Sequence, residues 1–275
     1  MSSEKSLGAL QQPLPYPGAL QAVGLVVLVS LVMGAVKLPF RLLESLLQTE
    51  INAFAVSLLS GLAFVLLYCR NKPQVDLRLQ LALRPFRPAL FVLFVVVVIA
   101  LRPMIADGTV LSTRLFPVPE WIGELFKGST KGLLGVLAVV LVGPIAEEVL
   151  FRGVILAGFL RRYSTSKAIA GCAVLFAAYH LNPWQLLPAF FVGLLLSWHF
   201  ARTGLVAHCI AGHMVLNALA YVERGLPTES GFVYPWWSHL LALTLFIFGI
   251  VLLARYVDPR QQHDKHTEVR FGESD

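Results

Sequence analysis

Two adjacent carboxylates, Glu147 and Glu148, stand inside the apolar run 132–160, and Arg152 follows one helical turn after the second. An ionised side chain near the middle of a membrane helix costs about 2.5–3.5 kcal/mol on insertion scales, so it persists where it pairs, faces an internal cavity or does chemistry. Three in one span are too many for filler. Glu148 and Arg152 have the i,i+4 spacing that stacks two side chains on one helix face as an ion pair. Glu147 points about 100° away, and its own i+4 neighbour, Phe151, neutralises nothing. A carboxyl in that setting suits general acid or base work on a water molecule. The plain alternative is a buried ion-pair network that only fixes helix packing.

Further along the chain, His180, His213 and Asn217 are polar side chains within apolar runs. A lone His180 would read as a hydrogen-bonded core histidine. His213 and Asn217 are again i,i+4 and project to one helix face. At about 1.5 Å of rise per residue, Glu147 lies roughly 16 Å from the cytoplasmic end of its span, His180 about 20 Å, His213 about 14 Å and Asn217 about 20 Å. In a hydrocarbon core about 30 Å thick, all four fall in the middle third. Three helices bring polar groups to one level, which favours a shared intramembrane site.

The elements that must position them follow from composition. The chain has 275 residues, 57% hydrophobic and 14% charged, with a mean hydropathy of +0.72. A soluble domain would carry about 25% charge. The expected fold is all-α: a polytopic membrane protein of about eight transmembrane helices enclosing a catalytic cavity. The spans are 19–36, 51–69, 88–106, 132–158, 167–182, 185–200, 204–222 and 237–256. The fifth and sixth meet at a turn, Asn182-Pro183-Trp184, whose proline opens a new helix. One transmembrane domain, 18–257, is flanked by a short tail, 1–17, and a polar tail, 258–275, expected to be disordered. The first apolar run reads as a retained helix rather than a cleaved signal.

A net charge of +6 does not point to nucleic acid, because the basic residues sit between spans and form no compact basic face. They report orientation instead. Arg70, Lys72, Arg78, Arg84 and Arg87 crowd one loop; placing it in the cytoplasm puts Lys5, Arg161, Arg162, Lys167, Arg202, Arg255, Arg260 and Lys265 on the same side. Both termini are then cytoplasmic, in a plasma membrane expected to be bacterial or archaeal. Cys69, Cys172 and Cys209 show no metal-type spacing and read as free thiols.

Glu147-Glu148-Val149-Leu150-Phe151-Arg152, Phe176-Ala177-Ala178-Tyr179-His180 and His213-Met214-Val215-Leu216-Asn217 resemble, in order, the three motifs of the CPBP family. These are the intramembrane proteases that include CAAX prenyl endopeptidases and Abi-type proteins. The likeness covers roughly 130–225 and includes the flanking Gly143-Pro144 and Gly153. It implies that Glu147 and His180 activate water, that His213 and Asn217 stabilise the oxyanion, and that Glu148 and Arg152 give structural support. The substrate it implies is a membrane-embedded or lipidated peptide, such as a CAAX-type C-terminal tail, met within the lipid bilayer.

The same side chains allow a zinc reading with Glu147, His180 and His213 as ligands, although the HExxH spacing is absent; the expectation is metal-independent chemistry without a cofactor. Two other functions compete. A proton-coupled transporter would also bury acids and histidines, but such carriers commonly show paired repeats, and none is visible. A non-catalytic bacteriocin-immunity or scaffold protein is the third.

Other residues read as structural. His199 suits the interface beside Trp198, and His208 an interhelical hydrogen bond. Trp236, Trp237 and His239 read as an interfacial anchor, while Arg102 either snorkels or pairs with an acid. His263 and His266 fall in the polar tail.

Overall fold

The computed structural model describes residues 15–47, 52–72, 75, 87–120, 132–223 and 234–256. Among these, every regular element is helical. In chain order they are α1 (Ala19–Leu47), α2 (Ala53–Arg70), α3 (Pro88–Leu115), α4 (Gly132–Leu160), α5 (Thr165–Tyr179), α6 (Pro183–Thr203), α7 (Val206–Glu223) and α8 (Trp236–Tyr256). All but α5 and α7 are long and apolar enough to cross a membrane. The eight expected spans match eight helices, and the chain is an integral membrane protein. The tail 258–275 and residues 1–14 lie outside the described residues.

Two helices run well past their expected ends. The first continues from 36 to Leu47 and the third from 106 to Leu115. Apolar composition marks where lipid ends, whereas backbone hydrogen bonding decides where a helix ends. On α3 the hydroxyls of Thr109 and Ser112 fold back onto the carbonyls of Ile105 and Gly108, so polar residues sit in the last turns without competing for the main chain.

The helices pack as neighbouring pairs, α1 on α2, α5 on α6 and α3 on α8, with α3 also against α6 and α7. Gly193 sets the α5–α6 approach: a Cβ there would lie 3.0 Å from Ala173 Cα. The absent side chain lets the two backbones close up.

Helix α4 departs from the ideal spiral. Ala138–Val142 and Val149–Leu156 are π-helical, interrupting α-helical turns on either side. The Gly143 N–H bonds to the Ala138 carbonyl, five residues back. The next donor in that pattern would come from residue 144, and Pro144 has none. The Val139 carbonyl is left without a main-chain partner and needs one from elsewhere.

Candidate active site

A chain of polar contacts crosses the bundle from α6 through α4 to α7. Arg152 Nη2 donates to the Gly193 carbonyl at 3.1 Å, and Nη1 donates to Glu148 Oε1 at 2.8 Å. His213 Nδ1 donates to the same oxygen at 2.9 Å. His213 Nε2 then faces Glu147 Oε2 at 3.8 Å. Glu148 and Arg152 are fully buried, and the guanidinium lies 4.7 Å from the centre of the Phe176 ring. A fully buried charge survives only when paired and hydrogen-bonded; here the pairing is direct, although Glu148 Oε2 and Arg152 Nε have no hydrogen-bond partner among the described residues.

Glu148 thereby does more than pair with Arg152. A carboxylate can only accept, so the hydrogen-bond network places a hydrogen on His213 Nδ1. That leaves Nε2 directed at Glu147. Sequence spacing foresaw the Glu148–Arg152 pair; it could not foresee that Glu148, 65 residues away, also orients His213.

His180 follows the last residue of α5 at the turn into α6. Its Nδ1 donates to the Phe176 carbonyl at 2.9 Å, which leaves Nε2 as an acceptor in the neutral ring. The turn fixes the ring further. Asn182 Nδ2 donates to the His180 carbonyl at 3.0 Å, while Asn182 Oδ1 accepts from the Gln185 N–H at 2.8 Å and caps α6. Between them Leu181 has a φ of 53°, a left-handed conformation that costs a side chain such as leucine about 1–3 kcal/mol. Strain beside a candidate catalytic histidine is the kind of outlier that marks a functional turn. No residue type around Leu181 signals that conformation.

Asn217 takes up the demand created on α4. Its Nδ2 donates to the Val139 carbonyl at 2.9 Å, the group left unpaired by Pro144. One amide hydrogen is thus spent holding α7 against α4, and the other stays available.

His180, His213 and Asn217 line a cavity of about 450 Å³, with Phe176 between the two imidazoles. The Phe176 ring centre lies 5.1 Å from that of His180 and 5.8 Å from that of His213. Glu147 is not among the lining residues and meets the cavity through His213. No hydrogen bond joins Glu147 to His180 among the described residues. Nor do any three His, Cys, Asp or Glu side chains there form a group that could hold a metal ion. The Glu147, His180 and His213 set therefore does not present a ready-made zinc site.

The far end of the cavity holds a second polar group. Arg102 on α3 pairs with Glu223, the last residue of α7, through Nε at 2.9 Å and through Nη2. Tyr234 donates to the same carboxylate. Burial, then the bond to Glu223, pushes the Tyr234 hydroxyl up to about 12, so it stays a donor at neutral pH. Arg102 thus pairs rather than snorkels. His239 does not act as a free interfacial residue, since Nε2 lies 2.5 Å from Asp107 Oδ2, whereas Trp236 and Trp237 are exposed as an anchor requires. His199 is no interfacial residue either. It is buried, stacks on Phe94 at 3.8 Å, and contacts His208 Nδ1 through Nε2 at 3.3 Å. Proximity to Trp198 misled, because the helix continues past His199 and turns it inward.

No curated protein and no solved structure matches the chain. Residues 129–219 match the model of a protein family described as type II CAAX prenyl endopeptidase Rce1-like. All three polar motifs fall within that stretch, which matches a CAAX-protease family, the CPBP family that the motifs resemble.

Proposed function

We propose that this chain is an intramembrane endopeptidase that hydrolyses a peptide bond of a membrane-associated substrate, with Glu147 as general base. A water 2.8 Å from both Glu147 Oε2 and His213 Nε2 would see them at an angle of about 85°, within hydrogen-bonding reach of each. Glu147 takes one proton from that water, and His180 Nε2 accepts the other hydrogen and orients the oxygen. The hydroxide attacks the scissile carbonyl carbon, and the carbonyl oxygen becomes an oxyanion. In this reading His213 is an imidazolium set between the Glu147 and Glu148 carboxylates from the start, so its Nε2–H donates to that oxygen and no further proton is drawn on. The spare amide hydrogen of Asn217 adds a second donor. Glu147 then passes its proton to the leaving amine as the C–N bond breaks. Each element is a general acid, base or fixed donor, so the reading is metal-independent.

One observation carries the proposal. His213 is clamped by Glu148 at one nitrogen and faces Glu147 with the other, in a cavity wall shared with His180. The α5–α6 turn and α7 bring two imidazoles to one cavity wall, and Glu147 reaches it through His213, which supports this reading.

The test is cleavage of a membrane-anchored peptide library by purified protein, comparing wild type with Glu147→Gln and His180→Ala. Turnover falls at least 100-fold in each while the fold is kept. Activity lost to a chelator, restored by zinc and matched by stoichiometric metal in elemental analysis would overturn the metal-independent reading.

A further inference from the structure

We infer that the cavity opens to the non-cytoplasmic face, so the substrate is a membrane-anchored polypeptide whose scissile segment lies outside the cytoplasm. The first support is where the lining residues sit along their helices. Arg102 and Thr109 belong to the second half of α3, His180 and Gln185 to the α5–α6 turn, and Asn217 and Glu223 to the second half of α7. All three helices run the same way, so the cavity occupies the end at which they finish.

The opposite end carries the basic residues. Arg70 closes α2, Arg87 precedes α3, Arg161 and Arg162 follow α4, Lys167 lies in the first turn of α5 and Arg202 near the end of α6. Among the described residues no acid accompanies them at that end. At the cavity end, charges are mixed: Glu44, Asp107, Glu120 and Glu223 stand against Lys37, Arg41, Arg102 and Arg114. An excess of Lys and Arg within short loops marks the cytoplasmic side. The cavity is at the other.

Helix length is an independent support. With 15 residues, α5 spans about 22 Å, about 8 Å short of a 30 Å hydrocarbon core. Anchored at the basic end by Lys167, it finishes below the far surface. The turn 180–182 is then recessed in the membrane, where irregular backbone is tolerated only in protein or beside a water-filled cavity. A funnel from the outer face down to His180 meets that condition. Lipid-modified tails displayed in the cytoplasm are on the wrong side to use it.

Two arms test this, and only the second rests on the protease reading. Cys69, Cys172 and Cys209 are buried and are replaced by alanine. In a Glu147→Gln background, Gln185→Cys at the cavity mouth is compared with Lys167→Cys at the basic rim, using a membrane-impermeant maleimide on intact cells. Labelling of Gln185→Cys should exceed that of Lys167→Cys at least tenfold, and permeabilisation should abolish the difference. Preferential labelling of Lys167→Cys, or equal labelling of both before permeabilisation, overturns the inference. In the second arm, wild-type protein meets one anchored reporter peptide displayed on either face; cleavage of the outer display alone supports the inference, and cleavage of the inner display overturns it. Should neither display be cut while labelling favours Gln185→Cys, the protease reading fails and the orientation stands.

Discussion

Adjacent glutamates with different partners should fail in different ways. Glu148→Gln keeps an amide oxygen as acceptor but removes the negative charge, so the fully buried Arg152 guanidinium is left with only neutral acceptors, that oxygen and the Gly193 carbonyl at 3.1 Å. Breaking a buried ion pair from one side costs about 3–5 kcal/mol. For a chain of this size that lowers the melting temperature by roughly 10 °C. His213 also loses the negative charge beside its Nδ1–H, so turnover falls as well. Glu147 is held by no hydrogen bond among the described residues and faces His213 at 3.8 Å. Glu147→Gln therefore changes stability by no more than about 0.5 kcal/mol, while removing the base lowers the rate by about 10²–10⁴. Thermal unfolding of purified protein in detergent, paired with turnover of a fluorogenic membrane peptide, separates the two effects. A third variant sharpens the test. Glu148→Leu with Arg152→Met replaces the pair by apolar side chains and should melt above either single variant, because replacing a buried pair costs far less than halving it. Equal melting temperatures for Glu147→Gln and Glu148→Gln, or a double variant no more stable than the singles, would refute this division of labour.

Three further outcomes follow from single contacts. If Asn217 serves the carbonyl left bare by Pro144, then Pro144→Ala restores the main-chain donor and the two positions couple. Asn217→Leu should cost about 1–3 kcal/mol in wild type and at least 1 kcal/mol less in Pro144→Ala, read as a double-mutant cycle of unfolding free energies. A Cβ on Gly158 would lie 2.3 Å from Pro17 Cδ and 2.6 Å from the Tyr16 carbonyl oxygen. Gly158→Ala must displace the segment ahead of α1 and lose about 1–3 kcal/mol, with faster limited proteolysis near residue 16 as the direct readout. Tyr234→Phe removes a donor to Glu223 but leaves Arg102 in place; the melting temperature should drop by an amount equivalent to about 1 kcal/mol.

What could be read in advance depended on how strongly the membrane penalises each residue. Glu147, His180 and His213 were conspicuous because lipid makes every polar group expensive, and depth could be counted from helix rise. Helix existence was legible for the same reason. Helix ends were not: α1 and α3 outrun their apolar segments because hydrogen bonding continues beyond the lipid. The Arg102–Glu223 pair spans 121 residues, and nothing in local spacing selects Glu223 from the other acids. The orienting bond from Glu148 to His213 was invisible for the same reason, as it depends on how α4 and α7 cross. Gly143-Pro144 is the instructive case. The dipeptide stood in plain view beside the first motif, yet its consequence needs two facts together: a missing donor at Pro144 and a π-helical ladder reaching five residues back to Val139. Given both, a side-chain donor must come from a neighbouring helix, and Asn217 supplies it. The motif asparagine is therefore tied to the motif proline by the hydrogen-bond accounting of one carbonyl, and substitutions at either position should be judged as changes to that shared bond.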